Sequence, residues 1–124
     1  MQAQRIRMSI ATALAVAVCL FADIALAAKR VALVIGNDRY ANIPSLKKAV
    51  NDARAMNDTL RKLGFTVLVA ENQNRKGLSE TMLAFDRMIE KGDTAFFFFA
   101  GHGFEIGGEN YLLPTDVPSA TVGQ

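Results

Sequence analysis

Thr94-Ala95-Phe96-Phe97-Phe98-Phe99-Ala100-Gly101-His102-Gly103 is the stretch on which the fold turns. Four consecutive phenylalanines cannot alternate between core and water, so a strand built from them has to be covered on both faces. The run is short for a buried helix, and Gly92 and Gly101 bound it, which favours strand over helix. The expectation is a central strand flanked by helices.

Upstream, Val31 to Ile35 is a second continuous apolar run and ends at Gly36-Asn37-Asp38, the pattern of a buried strand entering a loop. Pro44 and Ser45 open a helix in which Leu46, Ala49, Val50, Ala53, Met56, Leu60 and Leu63 recur with a 3.6-residue period, and Gly64 stops it. Phe65 to Val69 reads as another strand, and Asn72 to Asn74 as a polar loop with Asn74 as a helix cap. The next helix spans roughly Lys76 to Lys91, with Leu78, Met82, Phe85, Met88 and Ile89 on its buried face. After the phenylalanines, Gly107-Gly108 between two short apolar-containing runs predicts a two-residue hairpin that Pro114 ends. Strand, helix, strand, helix, strand is the order of a parallel α/β sheet with right-handed crossovers.

The beginning of the chain differs in kind. Arg5 and Arg7 precede an apolar run from Met8 to Leu20, and Ala25-Leu26-Ala27 forms a small-x-small site. This is the layout of a secretory signal over residues 1–27, with cleavage after Ala27, an exported (periplasmic or secreted) product and no transmembrane helix in the mature chain. An uncleaved membrane anchor is the alternative. Loss of that segment removes Arg5, Arg7 and Asp23, so the formal charge of +2 falls by one. No basic field remains that could hold nucleic acid by neutralising phosphates. The one cysteine, Cys19, lies between Val18 and Leu20 inside the apolar run, without the electropositive surroundings of a reactive thiolate. A lipid-modified Cys19 is a weaker reading, because Val18 is bulkier than the small residue such a site uses.

In open α/β sheets, sites form beyond the carboxyl ends of the strands. Three segments meet that condition: Gly36 to Tyr40, Glu71 to Asn74, and Gly101-His102-Gly103. His102 is the only histidine in the chain. The glycines beside it allow close approach of backbone or substrate, and imidazole is the side chain that ordinarily changes charge near neutrality. Position alone leaves a proton-transfer role and a plain turn histidine equally open. A metal site lacks the second histidine or thiolate it would need. Gly36-Asn37-Asp38 lacks the repeated glycines and Lys-Ser/Thr pair of a phosphate loop.

Phe96 to Gly103 resembles the catalytic-histidine segment of caspase-like peptidases, in particular the bacterial metacaspase type. Val31 to Asn37 with Tyr40 resembles that family's first strand and loop. Leu46 with Ala49-Val50-Asn51-Asp52-Ala53 resembles its first helix, and Asn110 to Asp116 its hairpin after the histidine. The resemblance implies a caspase-like three-layer α/β sandwich with a mostly parallel sheet, incomplete at its C-terminal side. Residues 28–117 would be a partial peptidase domain and 118–124 an unstructured, truncated end. It further implies cysteine endopeptidase chemistry by a Cys–His dyad, with His102 as base and the Gly103 N–H as an oxyanion donor. Asp52 would line the primary specificity pocket and favour Arg or Lys. By helical geometry Asp52 lies about 60–70° from the centre of the apolar stripe, and a solvated carboxylate near Arg54 or Lys48 is the competing reading. The thiol would lie about 50 residues beyond the histidine, past Gln124, so this chain alone is expected to be inactive. No cofactor is implied, and calcium dependence is left open. The expected partners are a peptide or protein substrate and the missing C-terminal half of the domain. A non-catalytic caspase-like module that binds peptides or proteins is the alternative function; an unrelated flavodoxin-like binding domain is the third.

Overall fold

A computed structural model describes residues 28–119; the signal segment expected at 1–27 and residues 120–124 lie outside them. The elements run β1 (Arg30–Gly36), α1 (Ala49–Lys62), β2 (Thr66–Glu71), α2 (Arg75–Asp86), β3 (Thr94–Ala100), β4 (Gly103–Ile106) and β5 (Glu109–Leu112). The first three strands form one parallel sheet in the order β2-β1-β3, and β4 and β5 form a separate antiparallel hairpin. Among the described residues no helix is long and apolar enough to cross a membrane.

β1 is the middle strand, and Val31 to Ile35 are all buried. Because side chains alternate along a strand, Val31, Leu33 and Ile35 enter one cluster with Ala70 and Phe85, while Ala32 and Val34 enter another with Ala53, Leu60 and Val67. Phe85 belongs to α2 and Ala53 and Leu60 to α1, so the helices cover opposite faces and the architecture has three layers.

Among the described residues the phenylalanine strand pairs on one side only, with β1. β3 lies at an edge of the sheet, with Phe96 37% and Phe97 41% exposed. Only Phe98 and Phe99, at its carboxyl end, pack against the two cores. Among the described strands β1 takes both partners.

Helix boundaries also shift. α1 starts at Ala49, not at Ser45, because the Asp38 carboxylate accepts the N–H groups of Ala49 and Val50 at 2.8 and 3.2 Å. A cap borrowed from a distant loop satisfies the same orphan donors as a local one. Its far end is the expected glycine stop: Gly64 has φ of 82°, with Gly64 N–H on Arg61 O and Phe65 N–H on Leu60 O, the paired bonds of a Schellman motif. α2 is capped by Asn74 as expected, its side chain accepting Gly77 N–H at 2.8 Å. It ends at Asp86, short of Lys91. Asp93 accepts the Glu90 and Lys29 N–H groups at 2.9 and 2.8 Å, drawing the connection out of the helix towards β3. In the hairpin, Gly107 and Gly108 both have positive φ, as a tight two-residue turn requires.

Candidate active site

The three strand-end loops named from the sequence converge. Asn37 is fully buried and connects them: its Oδ1 accepts Gln73 N–H at 2.8 Å, and its Nδ2 faces the carbonyl oxygens of Gln73 at 3.5 Å and Leu113 at 3.4 Å. Its own N–H donates to Ala100 O at 2.8 Å, extending the β1–β3 ladder to the residue before Gly101. Asn72, in a left-handed conformation (φ 51°), accepts the N–H groups of Asp38 and Arg39 at 3.0 Å each. Gly36 permits α1 to press on this end of the sheet. A Cβ there would lie 2.8 Å from Ala49 O, Val50 Cα and Ala53 Cβ.

His102 follows β3, half-buried. Its N–H donates to Tyr40 Oη at 2.8 Å and its carbonyl accepts Leu113 N–H at 3.0 Å, while the two rings meet edge to face at 4.7 Å. Nε2 lies 2.8 Å from the Pro44 carbonyl oxygen. A carbonyl only accepts, so this contact places the proton on Nε2 and leaves Nδ1 of the neutral ring with the free lone pair. That nitrogen takes part in no hydrogen bond among the described residues.

Gly103 opens β4 opposite Leu112. Opposed pairs in an antiparallel ladder alternate between hydrogen-bonded and non-bonded. The bond from Leu113 N–H to His102 O marks its pair as bonded, so Gly103 falls in a non-bonded pair with its N–H directed away from β5. Asp52 sits in the first turn of α1 and is exposed, further outward than the shoulder position expected from the helical wheel. It makes no ion pair among the described residues; Arg54, one of its expected neighbours, pairs instead with Glu71 through two hydrogen bonds of 2.6 and 2.8 Å. That pairing holds the Glu71 carboxyl below its ordinary range and raises Arg54 further. Asp52 does line an open groove of about 420 Å³ with Leu46, Lys47, Lys48, Ala49 and Gly101. The groove therefore connects Asp52 to the residue next to His102. Among the described residues no three His, Cys, Asp or Glu side chains group closely enough to hold a metal ion.

Asn37, Asp38, Tyr40 and the Pro44 carbonyl carry this geometry, and none of them stood out in the sequence as a site residue. Asn37, Asp38 and Tyr40 were visible as members of the strand-end segment Gly36 to Tyr40, and Asn37 and Tyr40 also within the family resemblance, without an individual role. A backbone carbonyl has no signature at all, since every residue has one.

The arrangement defines a parallel α/β domain whose histidine, at a strand's carboxyl end, has one nitrogen anchored and the other unengaged beside a groove. The chain belongs to the caspase-domain family, whose profile, described as Caspase domain, matches residues 29–123. It is 34% identical over 101 residues to human mucosa-associated lymphoid tissue lymphoma translocation protein 1, an alignment covering 78% of this chain and 12% of that protein. The mouse homolog is 32% identical over 94 residues, covering 76% of this chain and 11% of that protein. The match thus spans a small part of either relative.

Proposed function

We propose that this chain is the histidine-bearing portion of an exported caspase-like cysteine endopeptidase, with the thiol supplied by another segment or another polypeptide. The observation that supports it best is the anchored His102 ring, Nε2 on the Pro44 carbonyl and Nδ1 unengaged. A thiol brought to that side gives its proton to Nδ1, and the thiolate attacks the peptide carbonyl carbon. The Gly103 N–H stabilises the resulting oxyanion. The imidazolium then protonates the departing amine, and water, deprotonated by the same ring, hydrolyses the thioester.

Specificity for Arg or Lys is proposed from Asp52, which lines the groove together with Gly101, the neighbour of His102. A guanidinium or ammonium there meets a carboxylate, whereas an aspartate side chain would meet a like charge. Lys47 and Lys48 border the same groove, so the discrimination has to come from the carboxylate's direct pairing.

The test is reconstitution with the thiol-bearing segment of a family member, followed by cleavage of matched Arg, Lys, Asp and neutral peptides. Arg and Lys peptides should be cut, His102→Ala should abolish turnover, and Asp52→Ala should lower Arg cleavage at least tenfold, about 1.4 kcal/mol, with neutral peptides unaffected. Cleavage after Asp would overturn the specificity. Binding of peptides without cleavage by the reconstituted domain would favour a non-catalytic module. For export, intact mass of the secreted product should show Ala28 at the N-terminus.

A further inference from the structure

The segment that supplies the Pro44 carbonyl also supplies Tyr40, four residues earlier, and both act on His102. The phenol oxygen accepts the His102 N–H at 2.8 Å and donates to the Leu113 carbonyl at 3.3 Å. Leu113 returns its own N–H to the His102 carbonyl at 3.0 Å. Both polar groups of the His102 peptide unit are thereby held, one by Tyr40 and one by the residue Tyr40 holds. Meanwhile the phenol ring stands edge to face against the imidazole at 4.7 Å, and the Pro44 oxygen takes the far nitrogen.

From this geometry we propose that Tyr40 is the positioning residue of the His102 imidazole. It sets the main chain and one side of the ring so that Nε2 reaches the Pro44 carbonyl and Nδ1 stays unengaged. Two features agree with the assignment. A Cβ on Gly101 would lie 2.7 Å from Tyr40 Oη, so glycine at this position lets the phenol reach the N–H of the next residue. Burial pushes the Tyr40 hydroxyl's pKa up, which keeps it protonated, as a group that both accepts and donates must be.

The inference rests on His102 acting as the base. Its test reads ring geometry, not turnover, so the two can fail separately. His102 is the only histidine, and its imidazole signals therefore assign themselves in nitrogen–proton NMR spectra of the full chain. In the unaltered protein the Nε2 proton should give a resolved resonance, shielded from water exchange, and the His102 amide should be protected. Tyr40→Phe keeps the ring and loses both hydroxyl bonds. It should speed His102 amide exchange at least tenfold and broaden the Nε2 proton into exchange, while the amides of Leu33 and Ile35 in β1 keep their rates. Gly101→Ala, whose methyl would crowd both the Tyr40 hydroxyl and the Phe99 ring at 2.7 Å, should give the same signature at His102.

Unchanged His102 signals in Tyr40→Phe would overturn the proposal, as would a proportional loss of protection at every amide, the mark of a purely structural tyrosine. Should both variants fail to fold, the unaltered protein decides. A freely exchanging Nε2 proton or an unprotected His102 amide there refutes the assignment, and both protected at once supports it.

Discussion

Replacing Asn37 tests whether one buried amide holds the strand-end loops together. Its three contacts are unequal. The Gln73 N–H bond to Oδ1 is 2.8 Å, within the ordinary range, whereas the Nδ2 contacts are 3.4 and 3.5 Å, beyond the range in which such bonds are strong. The two carbonyls also have other donors: Gln73 O accepts Thr115 N–H at 2.9 Å, and Leu113 O accepts the Tyr40 hydroxyl at 3.3 Å. In Asn37→Ala only the Gln73 N–H is therefore stranded, at a cost of about 1–3 kcal/mol. Urea unfolding should show that loss as a lower midpoint with an unchanged slope. Asn37→Asp separates the acceptor from the donor. The new carboxylate can still take the Gln73 N–H, but it turns an oxygen towards two carbonyl oxygens in a buried position, which raises its folded pKa above the unfolded value. The sign follows: the variant is closest to the natural protein below the ordinary carboxylate range, and it loses stability as pH rises through the raised value. A loss below about 0.5 kcal/mol in Asn37→Ala, or a pH-independent Asn37→Asp, would refute the account of Asn37 as the tie between the loops.

Gly36→Ala should destabilise by about 1–3 kcal/mol, because the added methyl would meet α1 backbone atoms 2.8 Å away that cannot yield alone; thermal unfolding measures it. Asp93 is held below its ordinary pKa, first by the Glu90 N–H and then by the Lys29 N–H. Its folded pKa being depressed, its contribution is present above the ordinary carboxylate range and is lost as pH falls through the depressed value. The Tm difference between the natural chain and Asp93→Ala should close accordingly on acidification. β3 presents an uncharged edge with Phe97 41% exposed, the kind of strand that templates association. Phe97→Lys should lower the apparent mass of the chain in light scattering at high concentration, and unchanged association would show that this edge is not responsible.

Sequence alone determined what is local or periodic. The apolar runs of β1 and β3, the 3.6-residue stripe of α1, the Gly64 stop, the Asn74 cap and the Gly107-Gly108 turn each depend on neighbours a few residues away, so their chemistry is legible in order. The lone imidazole of His102 after an apolar strand was equally legible, though its position left its role open, and four ordered segments pointed to the family. Tertiary structure decided what depends on partners distant in the chain. It set the order β2-β1-β3 among the described strands, because pairing is not written in composition. It moved the start of α1 to Ala49 through the carboxylate of Asp38, eleven residues earlier. It oriented His102 through Tyr40 and a main-chain oxygen of Pro44, 62 and 58 residues away. Those contacts join groups that only folding brings within hydrogen-bond distance, and one of them is a backbone atom that no residue type announces.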